Sequence, residues 1–143
     1  MSSALERLKK LTNKISSYET ARKENLAALK ILYKDLDIGQ KVASFEDIFQ
    51  FKAINLSGVS LLKENLGEVK EGKYLQMLAI SYDKQALQKS KNISLGYYGR
   101  AENVDVGLKN KIVEFVIRYR FEKSFMTLEH YHGIIGELGQ KSE

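Results

Sequence analysis

Residues 4–36 form one amphipathic stretch, and its seven-residue period constrains the fold more than any other feature of the chain. With Leu8 at position a, the a series runs Leu8, Ile15, Arg22, Leu29 and Leu36, and the d series runs Ala4, Leu11, Tyr18, Asn25 and Leu32. Apolar residues sustained at a and d hold a narrow stripe toward a partner helix, the pattern of a coiled-coil seam. At about 1.5 Å of rise per residue the helix would reach about 50 Å, longer than a small domain needs. Arg22 and Asn25 break the stripe.

The flanking e and g positions divide the stretch in two. The first half carries Leu5, Arg7, Thr12, Lys14 and Glu19 there, mostly polar; the second carries Ala21, Leu26, Ala28 and Tyr33, which broadens the apolar face. The C-terminal half is therefore expected to dock on the protein's own globular part, and the N-terminal half to project and meet a partner. Leu8, Leu11, Ile15, Tyr18, Arg22 and Asn25 are the candidate oligomerisation residues, because one polar residue in a seam can fix register at a cost in stability. An amphipathic helix that covers a sheet has nearly the same periodicity and is the rival reading. Ser16 followed by Glu19 is also a capping box that could start a second helix.

A chain of 143 residues is long enough for one domain with a core and too short for two. The division expected is a helix over 1–37, serving as an oligomerisation element, and a single α+β globular domain over 38–143. No run of 18 apolar residues is present, so no transmembrane segment is expected. The N-terminal residues lack the apolar core of a secretory signal. The absence of cysteine removes disulfides, thiolate metal sites and cysteine nucleophiles. A cytoplasmic location is the default expectation.

After the first helix, Gly39 is placed to cap it in a left-handed conformation. Ser44 and Asp47 mark an N-cap; Phe45, Ile48, Phe49, Ala53 and Leu56 then fit a helical face, with a strand as the rival. Ser60 starts another short helix through Leu61, Leu62 and Leu66, closed by Gly67. Over 73–90 the pattern favours helix, with a strand over 74–82 close behind. Strands are expected at 93–98, at 104–108 and, most strongly, at 114–122, where Phe115, Ile117, Tyr119 and Phe121 alternate with Glu114, Val116, Arg118, Arg120 and Glu122. From Lys123 the period becomes helical again through Phe125, Leu128 and Ile135. The fold class is α+β: a long N-terminal coiled-coil-like helix, short middle helices, an antiparallel sheet in the second half and a C-terminal helix.

The net charge of +5 permits an acidic partner without demanding one. Residues 1–37 hold eight Lys/Arg against five Asp/Glu, 38–72 four against five, and 73–143 eleven against eight. On the expected sheet, Arg118 and Arg120 share a polar face, with Arg100, Lys109 and Lys111 in adjoining turns and Tyr97 or Tyr98 beside them. A basic sheet surface with an accessible aromatic suits single-stranded nucleic acid, with the cations on phosphates and a ring under a base. Glu114 and Glu122 lie on the same face and would pair with the arginines, so a solvated, salt-bridged sheet face is the favoured reading; arginines so placed also suit an acidic protein, and a protein partner is expected ahead of nucleic acid.

Motifs for catalysis are weak. Glu129, His130 and His132 form the sole metal-like cluster, but on a helix the two histidines point about 200° apart, from about 100° per residue. Residues 96–100, Gly-Tyr-Tyr-Gly-Arg, match no phosphate-binding loop. Ser57-Gly58-Val59-Ser60 is not a nucleophile elbow. No cofactor or catalytic residue is assigned, and an enzyme is the least supported class. The leading expectation is a non-enzymatic interaction protein that forms a homo-oligomer through its first helix and binds a macromolecule with the basic face.

Overall fold

The computed structural model describes residues 3–82 and 90–141. Two long helices dominate it: α1, Ala4–Asp35, and α2, Val106–Lys141. Between them lies a three-stranded antiparallel sheet of β1 (Ala53–Ser57), β2 (Tyr74–Tyr82) and β3 (Ser90–Arg100), in the order β1-β2-β3. The α+β class therefore holds. Among the described residues, no helix is long and apolar enough to cross a membrane.

α1 starts at Ser3, whose hydroxyl accepts from the Glu6 N–H at 3.2 Å, satisfying one of the unpaired amides of the first turn. It continues without a break past Ser16, so the capping box there starts no second helix. Its end is made by Asp37 at φ 53, not by Gly39, which lies in a short 3-10 turn, Ile38–Gln40. Aspartate tolerates the left-handed region because its short polar side chain hydrogen-bonds locally. Tyr33 closes the corner, its hydroxyl donating to the Val42 carbonyl and its ring meeting Phe45 edge-on.

The strand at 114–122 does not exist: that segment is the middle of α2. Ile112, Val113, Phe115, Val116, Tyr119 and Glu122 are all buried, which is the three-and-four spacing of a helix face. Val116, expected on the watery side of a strand, is fully buried, while Ile117 and Phe121, expected inside, are 37 % and 38 % exposed. The strand expected at 104–108 is likewise absent; a 3-10 turn at Ala101–Asn103 leads into α2, whose first turn is capped by the Asp105 carboxylate accepting from Leu108 N at 3.1 Å.

Residues 74–82 are a strand rather than the helix favoured above. Leu75, Met77 and Ala79 point into the core, and the intervening Gln76, Leu78 and Ile80 are half-buried. The remainder of that expected helix, 83–89, lies outside the described residues. The middle helices shrink to 3-10 turns at Phe45–Gln50 and Lys63–Asn65, and Ala53 and Leu56 belong to β1. The sheet accordingly begins before the midpoint of the chain. Of the three expected strands, only the one at 93–98 survives, inside β3.

Both helices cover one sheet face. Leu29 and Leu32 of α1, Leu36 just after it, and Ile112, Phe115 and Tyr119 of α2 pack with Ile54, Leu75, Met77, Ala79 and Leu95. The other face carries the exposed rings of Tyr74 and Tyr97, whose centroids are 5.9 Å apart. Gly58 lets the chain leave β1 against β2: it adopts φ +92, and a Cβ there would lie 2.6 Å from the Tyr74 carbonyl oxygen. Gly58→Ala is therefore expected to lower stability by about 2–3 kcal/mol, combining a disfavoured dihedral with a backbone clash. A urea titration followed by circular dichroism measures it, and a change below about 1 kcal/mol would mean the loop relaxes freely.

Candidate interaction surface

α1 and α2 run antiparallel, as their cross-contacts descend in step. The Lys111 ammonium lies 3.3 Å from the Asp35 carboxylate, Arg118 meets Asn25, Glu122 meets Arg22, and the Phe125 ring lies edge-on to Tyr18 at 6.5 Å. The two residues that broke the α1 stripe thus face the chain's own second helix. Asn25 is 2 % exposed, and both ends of its amide are used: Nδ2 donates to the Arg118 carbonyl at 2.9 Å, and Oδ1 accepts from Arg118 Nη1 at 3.0 Å.

Arg22 is the centre of a denser cluster. Its Nε donates to Glu122 Oε1 at 2.7 Å, its Nη2 lies 2.7 Å from the same carboxylate, its Nη1 pairs with Glu129, and its guanidinium carbon is 5.3 Å from the Phe125 ring centre. The Glu122 side chain is only 4 % exposed, against 30 % for Arg22. Burial works against the Arg22 charge, but the hydrogen bonds and attraction of Glu122 and Glu129 outweigh it and hold the guanidinium above its ordinary pKa.

Past this cluster the helix pair leaves the sheet. Every described side chain of α1 from 3 to 20 and of α2 from 126 to 140 is exposed. Leu8, Leu11 and Tyr18 are among them, and the Ile15 side chain lies outside the described set. On α2, Arg118, Glu122, Phe125 and Glu129 form the row that meets α1. Ile117, Phe121, Leu128, Tyr131 and Ile135 form a second row, spaced by three, four and seven, roughly a quarter turn around the helix at about 100° per residue. Leu128, Tyr131 and Ile135 are 59 to 67 % exposed.

The second row borders an open groove between the helices. Near the domain this groove has a volume of about 680 Å³ and is walled by Ala21, Asn25, Leu66, Val113, Ile117 and Phe121; further out, Tyr18, Phe121, Phe125 and Leu128 line its continuation. Residues 4–18 of α1 carry Arg7, Lys9, Lys10 and Lys14 against Glu6, while 125–140 of α2 carry Glu129 and Glu137 and no lysine or arginine. The second row escaped the sequence reading because the alternation at 115–121 assigned its first members to a strand.

The expected basic sheet face is not assembled. Lys109, Lys111, Arg118 and Arg120 are on α2, and Arg100 ends β3. Arg118 Nε donates to Glu114 at 2.7 Å, Lys111 pairs with Asp35, and Arg100 lies 3.9 Å from Glu102. Tyr97 stands on the open sheet face, and Tyr98 packs against the core. His130 and His132 are exposed on α2; among the described residues, no group of three or more metal-binding side chains comes together. Comparison with known proteins finds no matching family model, no matching curated protein and no matching solved structure.

Proposed function

We propose that this protein is a non-enzymatic assembly protein whose exposed helix pair binds a second copy of itself. The observation that supports it is the second apolar row of α2, with Leu128, Tyr131 and Ile135 each more than half exposed beside a groove. A helix that meets one neighbour along a largely polar row and carries an apolar row about a quarter turn away keeps a face for a further helix, as the members of a four-helix bundle do. Here one row meets α1 of the same chain, and the other is left for the second copy.

The charges favour one arrangement. With the two helix pairs side by side and both domains at the same end, the basic end of α1 lies against the acidic end of α2 from the other copy. That arrangement is isologous and closes on itself, as two-fold dimers do. The self-association expected from the α1 stripe is therefore shifted: Arg22 and Asn25 serve the intrachain seam, and the α2 row supplies the new contact. Nucleic-acid binding has less support, because three of the five cations assigned to it already have carboxylate partners.

The double variant Tyr131→Glu/Ile135→Glu tests this. Sedimentation velocity is expected to give an associated intact protein and a monomeric double variant, with unchanged helicity in the far ultraviolet. Equal sedimentation of the two proteins would count against the row as a self-association surface.

A further inference from the structure

Among the described cations, some are neutralised by a carboxylate and others are not. Arg22, Arg100, Lys111 and Arg118 each pair with a carboxylate. Lys52, Arg120 and Lys123 pair with none among the described residues, and all three line one concavity of about 510 Å³ between β1 and α2. Ala53, Ile54 and Leu128 contribute its apolar walls, and no Asp or Glu lines it.

Two of the three are positioned by backbone. Lys123 Nζ donates to the Phe49 and Phe51 carbonyls at 3.0 and 3.1 Å, which spends two of its three protons and leaves one. Arg120 Nη2 reaches the Ile54 carbonyl at 3.4 Å, which leaves the other guanidinium donors available. Desolvation by partial burial holds the Lys123 ammonium below its ordinary pKa. The Ser124 and Thr127 hydroxyls donate to the Arg120 and Lys123 carbonyls of their own helix, so recognition at this site falls to the cations.

We infer that this concavity binds a phosphate monoester with an apolar body. Three clustered positive charges match a phosphate dianion better than a single carboxylate, and arginine and lysine together supply both planar and point-charge contacts to its oxygens. The apolar walls give the organic part somewhere to sit. The three cations lie off the second row of α2, which touches this site only through Leu128, so loss of binding on changing the cations is distinguishable from loss of self-association on changing Tyr131 and Ile135.

The test uses the full chain and phenyl phosphate as probe, titrated at low ionic strength and followed by amide chemical shifts. Saturable shifts centred on Lys52, Arg120 and Lys123 are expected. The variant Lys52→Gln/Arg120→Gln alters exposed side chains and spares the Lys123 bonds; it is expected to weaken binding by about tenfold or more, with the far-ultraviolet circular dichroism unchanged. Absence of saturable binding, or equal binding by the variant, would overturn the site. Inorganic phosphate binding as tightly as phenyl phosphate would overturn the organic body. A short single-stranded oligonucleotide that binds far more tightly than either would overturn the small-molecule ligand in favour of a polyanion.

Discussion

Val116→Asp is expected to leave the chain largely unfolded at room temperature, whereas Ile117→Asp leaves it folded. Val116 is fully buried on α2 among the residues that close the core under the sheet, and an unpaired carboxylate there costs several kcal/mol of desolvation. Domain stabilities are only about 5–15 kcal/mol, so one such group consumes much of the margin. Ile117 is 37 % exposed in the wall of the open groove, so the same change there costs about 1 kcal/mol of subunit stability. A strand through this segment would invert the ranking. Thermal and urea unfolding of the two variants, followed by circular dichroism, decides between the two orders.

Arg22→Met is expected to cost about 3–5 kcal/mol, and Glu122→Gln about 1–2 kcal/mol, although the two changes break the same ion pair. The asymmetry comes from burial. Without Arg22, the Glu122 carboxylate is left in the interhelix seam at 4 % exposure with no cation. Without the Glu122 charge, Arg22 keeps Glu129, the Phe125 ring and partial access to water. Equal losses for the two variants would mean that the seam opens to solvent and the pair is not buried in solution.

The α1 period was legible because a helix of 32 residues repeats its pattern often enough to be unmistakable, and its leucine positions 29, 32 and 36 enter the core. What the period could not say was which helix it faced. A seam toward another subunit and a seam toward α2 of the same chain use the same residues, and Arg22 with Asn25 serves either. The α2 misreading has a more specific cause. Phe115, Ile117, Tyr119 and Phe121 alternate only because two apolar rows of one helix, 115/119 and 117/121, interleave at a spacing of two. No Gly or Pro occurs between Leu108 and His132, and that uninterrupted length favours a helix over a strand.

β2 failed for the opposite reason. Both of its faces are apolar, Leu75, Met77 and Ala79 inward and Leu78 and Ile80 outward, so there was no clean alternation to find. The basic cluster was a consequence of the α2 error, since strand geometry put Arg118 and Arg120 on one side while the helix turns them about 200° apart. The concavity holding Lys52, Arg120 and Lys123 joins residues from two elements distant in sequence, and the charge distribution along the chain carried no sign of it.

The central claim is that the exposed helix pair meets its own copy. Light scattering of the intact protein across a dilution series measures this most directly. A mass of twice the 16.3 kDa chain is expected at high concentration, falling toward the single chain on dilution. A mass that stays at one chain at every concentration would contradict it.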